Sequence, residues 1–98
     1  MFENSRYLTR GIDENIIPEL QLCMWHMIDI MTIEKDYLQI FNLRQKVIDG
    51  ITVQHIEHSQ EVPPFSQNID LIIDEPVECK IYVIDDGDHS TMLFAEEY

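Results

Sequence analysis

The sequence predicts an α+β fold: a mainly antiparallel sheet with one main amphipathic helix packed on its face, in the order β-α-β-β-(β or short helix)-β-β. Three observations lead there. Apolar residues recur at helical spacing in one main segment, from Pro18 to about Met31. Aspartate-glycine pairs at Asp49-Gly50 and Asp86-Gly87 each lie between two runs rich in apolar and β-branched residues, the mark of a hairpin. No βαβ series recurs, and a helix laid over a hairpin-built sheet buries the apolar sides of both.

Taken in order, Tyr7 to Ile12 reads as a short first strand that stops at Gly11-Ile12-Asp13. The helix follows from Pro18, because proline suits a first helical turn and Glu19 meets the positive end of the helix dipole. At about 100° per residue, Leu20, Met24, Met27 and Met31 form one stripe flanked by Cys23, Ile28 and Ile30. Leu22 and Trp25 fall outside it, on either side of Asp29. Tyr37 to Leu43 and Ile51 to His58 form the first expected hairpin. Val62-Pro63-Pro64-Phe65 breaks regular structure, with a loop to about Asn68, and Ile69 to Ile73 is a short strand or helical turn. The second hairpin pairs Glu78 to Ile84 with His89 to Glu96. A two-residue Asp86-Gly87 loop would set Val83 opposite Ser90, Ile81 opposite Met92 and Cys79 opposite Phe94.

A chain of 98 residues holds one core, so residues 1–98 form a single domain. Its 45% apolar and 26% charged residues match ordinary globular composition. Cys23 and Cys79 are far apart and belong to no ligand cluster, which points to reduced thiols in a cytoplasmic protein. The opening Met1-Phe2-Glu3-Asn4-Ser5-Arg6 has neither the basic start nor the apolar run of a signal peptide. No uncharged stretch approaches the ~20 residues that span a bilayer. A net charge of −13 repels nucleic acid and anionic membranes alike. Residues 61–98 hold ten acids against Lys80 alone, so the last third is the acidic pole.

Long strings of the chain resemble the domain of unknown function 960 family, small proteins of low-GC Gram-positive bacteria and their phages. They are Phe2-Glu3-Asn4-Ser5-Arg6-Tyr7-Leu8-Thr9-Arg10-Gly11-Ile12, Pro18-Glu19-Leu20-Gln21-Leu22 with Trp25, and Asp36-Tyr37-Leu38-Gln39-Ile40-Phe41. His58-Ser59-Gln60-Glu61-Val62-Pro63 and Val83-Ile84-Asp85-Asp86-Gly87-Asp88-His89-Ser90-Thr91-Met92-Leu93 continue the likeness. The resemblance implies a compact bacterial protein and supplies no catalytic residue.

The densest polar cluster, Asp85, Asp86, Asp88, His89 and Ser90, offers oxygen ligands but lacks EF-hand spacing, and a solvated hairpin turn explains the same residues. His55 and His58 would face opposite ways on a strand and cannot easily share a ligand. His26 falls on the polar side of the helix. Ser90 has no GxSxG elbow, and Cys23 flanks the apolar stripe as a small hydrophobe. With three glycines there is no phosphate loop.

No catalytic residue, metal ligand or cofactor site is therefore named, and the expected function is a non-enzymatic protein-interaction module or regulator. Leu22, Trp25 and Asp29 are its candidate interface, toward a partner protein or a second copy of the chain. The Pro63-Pro64-Phe65 loop or the C-terminal tail could instead cover Trp25 within one chain. Two further readings are an acidic mimic of DNA that occupies the basic groove of a nucleic-acid enzyme, and an enzyme or small-ligand binder assembled from scattered positions.

Overall fold

The computed structural model describes all 98 residues. Strand β1 (Ser5–Leu8) leads into helices α1 (Arg10–Asn15) and α2 (Pro18–Asp29). Strands β2 (Leu38–Ile48), β3 (Ile51–Gln60), β4 (Phe65–Leu71), β5 (Cys79–Asp85) and β6 (His89–Phe94) follow, closed by a 3-10 turn at Ala95–Glu97. All six strands form one sheet in the order β1-β6-β5-β2-β3-β4.

This corrects the expected fold class in two respects. The sheet is mixed, because β1 runs parallel to β6, with Ser5 opposite His89 and Leu8 opposite Met92. The helical part is two short helices, not one main amphipathic helix. Both corrections come from residues 5–15. Thr9 accepts the Ile12 N–H at 3.3 Å and caps α1, which occupies part of the expected strand. Gly11 does not stop that strand but lies inside α1, where a Cβ would come within 3.1 Å of Glu97 and 3.3 Å of the Phe94 ring. The glycine thus permits close approach of the C-terminal turn.

Pro18 does open α2, which ends at Asp29 and not at Met31, with the Ile30 N–H returning to the His26 carbonyl. Its buried Leu20, Met24, Met27 and Ile28 join Phe41, Leu43, Ile56, Ile81, Val83 and Met92 of the sheet in one core. Ser66 to Asn68, expected in a loop, belong to β4, since Gln60 pairs with Phe65 directly across the turn that holds Pro63 and Pro64.

The C-terminal hairpin differs from expectation by two residues of register: Val83 faces Met92, and Ile81 faces Phe94. Asp85 and Asp86 cause the shift. Asp85 Oδ1 accepts the Gly87 N–H, and Asp86 Oδ1 accepts those of Asp88 and His89. The loop therefore centres on Gly87-Asp88, with Gly87 at φ +102 in its first position. A shift of two leaves each side chain on its expected face.

The β2–β3 hairpin outruns its neighbours. β5 accompanies β2 only as far as Leu43, and β4 accompanies β3 only from Gln54. Residues 46–53 project beyond both as a two-stranded arm.

Candidate functional site

Alternation along the strands gives the sheet two unlike faces. Phe41, Leu43, Ile56, Ile81 and Val83 pack into the core with the helices. Leu38, Ile40, Tyr82, Ile84 and Leu93 have the opposite parity and take no part in that core. The register makes them contiguous: Leu38 lies opposite Ile84, and Tyr82 lies between Ile40 and Leu93. Tyr7, 54% exposed, stands on β1 at one end. Tyr98 meets the Tyr82 ring edge-on at 5.7 Å, and the Lys80 ammonium lies 5.8 Å from the centre of the same ring. Arg44, exposed, continues the face along β2 and makes no ion pair, nor does Lys80. A half-covered sheet normally alternates to polar residues on its open side. Here the middle strands remain apolar and carry unpaired cations at one end.

The polar cluster at residues 85–90 is divided between two tasks. Asp85 is buried and accepts from the Phe2 N–H at 2.7 Å and the Asn4 amide at 3.0 Å as well as from Gly87. Burial pushes its carboxyl upward, but these donors outweigh it and hold the group below the usual carboxylate range. Asp86 caps the turn and pairs with His89 at 3.1 Å. Ser90 donates to Asn4 at 2.6 Å, on the face opposite His89.

The two strand histidines also separate. His55 stands on the open face against Asp70 at 2.7 Å, and that hydrogen bond lowers the Asp70 carboxyl, with Lys46 adding to the effect. His58 is fully buried and stacks on Phe41 with ring centres 4.4 Å apart. His26 is exposed on α2. Cys23 and Cys79 are free thiols; burial raises both, Cys79 to about 11 with help from the Glu96 charge.

Of the three candidate interface residues, Leu22 is 68% exposed on α2, whereas Trp25 is 8% exposed. The N-terminal segment lies over Trp25, with the Arg6 guanidinium 4.6 Å from the ring centre. The same guanidinium grips Asp29 through two nitrogens and donates to the Phe2 carbonyl at 2.9 Å. Trp25 and Asp29 are thereby tied within the chain; Asp29 remains exposed while paired, and Leu22 faces solvent without a partner.

Two features escaped sequence reasoning. One is a buried polar chain in which His58 Nε2 donates to Gln39 at 2.6 Å and Nδ1 accepts from Gln67 at 2.8 Å. Gln67 also donates to the Met27 carbonyl, Gln39 to Gln60, and Gln60 to the Glu34 and Pro63 carbonyls. These amide partners settle which way each glutamine points, and hence the His58 tautomer. The other is the uncovered face, whose signal was present: Leu38 to Leu43 and Cys79 to Ile84 have apolar residues at both parities. A cavity of about 810 Å³ also lies between the start of α2 and the β4–β5 connection, walled by Ile17, Leu20, Ile73 and Val77 and edged by Glu19, Asp74 and Glu75.

No curated protein matches this chain. A crystal structure of a protein of unknown function from Enterococcus faecalis is similar to it over 97% of this chain and 91% of that one, with 26% identity and a TM-score of 0.78. The family model described as staphylococcal protein of unknown function (DUF960) matches residues 5–97, and the chain belongs to that family.

Proposed function

We propose that this protein is a non-enzymatic, cytoplasmic interaction module that binds another protein, one with an acidic contact surface, through the uncovered face of its sheet. The observation that carries the reading is the contiguous set Leu38, Ile40, Tyr82, Ile84 and Leu93, each half-buried and outside the core. Contiguous apolar surface of this kind marks association sites. Lys80 and Arg44 at its end choose the partner's charge. A chain of net −13 repels acidic molecules elsewhere, so an acidic protein is oriented toward the face where unpaired cations stand beside apolar area.

A photo-crosslinking amino acid at position 40, with a control at position 22 on α2, tests this in living cells. The expected result is a discrete protein adduct from position 40 alone, weakened by Lys80→Glu. Equal adducts from both positions, or none, retire the proposal.

A further inference from the structure

Beyond Val53, which is buried, the tip of the β2–β3 arm exposes apolar residues. Ile51 is 55% exposed and pairs across the ribbon with Ile48, 38% exposed, while Val47, 68% exposed, stands on the opposite face. Isolated two-stranded hairpins are marginally stable in water, and β-branched aliphatics on one gain stability only when something covers them. Lys46, on the same arm, reaches only Asp70, at 3.8 Å. The arm tip is therefore an apolar prong with a cation beside it.

The cavity between α2 and the β4–β5 connection has the complementary chemistry. Its walls are aliphatic, Ile17 and Ile72 lie open at its mouth, and its charged residues are Glu19, Asp74 and Glu75, with no cation among its lining residues. Its volume, about 810 Å³, is large enough to receive the tip of the arm. It also lies at the base of the arm, where Gln45 donates to the Pro76 carbonyl at 2.9 Å and Gln54 to that of Val77 at 3.0 Å.

We infer that the arm of one copy of this chain docks in the cavity of a second copy, reciprocally, so that the protein forms a two-fold dimer by exchange of β-arms. Prong and socket close together on one protomer are what a two-fold contact requires, since each copy then gives its arm where it receives the other's. Ile48 and Ile51, on the same face of the ribbon as Lys46, cover the aliphatic walls, and Lys46 meets the Glu19, Asp74 and Glu75 carboxylates. The one acid of the arm, Asp49, sits in the turn, beyond Lys46. The inference stands apart from the sheet-face reading, which concerns a different surface and a different partner.

Sedimentation of the full chain from micromolar to millimolar concentration tests it. The parent is expected to show a monomer–dimer equilibrium, and Ile48→Asp with Ile51→Asp to remain monomeric. Lys46→Glu should raise the dissociation constant at least about tenfold by setting like charges together. Adding Glu75→Lys to the same chain should restore it. If the apolar variant fails to fold, the charge-reversal pair decides alone. A parent that stays monomeric throughout overturns the inference. So does a dimer that survives these substitutions, or one abolished by Ile40→Asp on the sheet face and indifferent to Lys46→Glu.

Discussion

The backbone N–H of Phe2 donates to the carboxylate of Asp85 at 2.7 Å in a buried contact between residues 83 positions apart. Phe2 adopts φ +68, a region unfavourable to any residue with a side chain, and its own side chain is 1% exposed. Asp85 thus fastens the N-terminus before β1 joins the sheet.

Asp85→Ala should lower unfolding free energy by about 3 kcal/mol, because it leaves the buried Phe2 N–H without an acceptor. The lowered carboxyl makes this stabilisation fully present above the ordinary aspartate value and lost as pH falls below that value and through the lowered folded one. Urea unfolding of parent and variant at neutral and acidic pH checks both points. A loss below ~1 kcal/mol at neutral pH would show that the clamp contributes little.

His58 provides a second pH dependence, in a different window. Burial lowers its pKa from 6.5 to about 4, and a proton added at Nδ1 would face the Gln67 amide N–H₂, a donor. Between those values the unfolded chain binds the proton and the folded chain does not, so stability falls as pH drops through the window. The loss amounts to about 3 kcal/mol by its lower end. Unfolding titrations should show this slope in the parent and its absence in His58→Gln. A flat parent profile from 6.5 to 4 would refute the assignment.

Trp25→Ala should cost ~3 kcal/mol or more while leaving the assembly state unchanged, because the ring is covered by its own chain. Leu22→Ala should change stability by no more than ~0.5 kcal/mol. Light scattering with thermal unfolding separates the two effects. A Trp25 variant of normal stability and altered assembly would restore the intermolecular role.

Cys79 should resist alkylation. With its pKa raised from 9.0 to about 11, the thiolate fraction at mildly alkaline pH is about a hundredfold below that of an unperturbed thiol. Mass spectrometry after a timed iodoacetamide pulse should find Cys79 unmodified in the native protein and modified in urea. Rapid native labelling would contradict its burial.

Where local chemistry decides conformation, the sequence by itself determined the outcome. Pro18 and the Leu20-Met24-Met27 spacing open α2 and choose its buried face, and the Asp-Gly pairs place two hairpins. Alternation assigns each β5 and β6 side chain to its face even though the register differs by two residues. The rest depends on groups far apart in sequence, which no local pattern encodes. The parallel pairing of β1 with β6 has no turn to announce it, and Gly11 reads as a strand stop until Phe94 and Glu97 pack against it. Trp25 looks exposed on a helical wheel, and only the tertiary structure lays Arg6 over it. The same holds for the two functional surfaces. The open face exists because the helices share the other side of the sheet, and the arm exists because β4 and β5 end before β2 and β3 do.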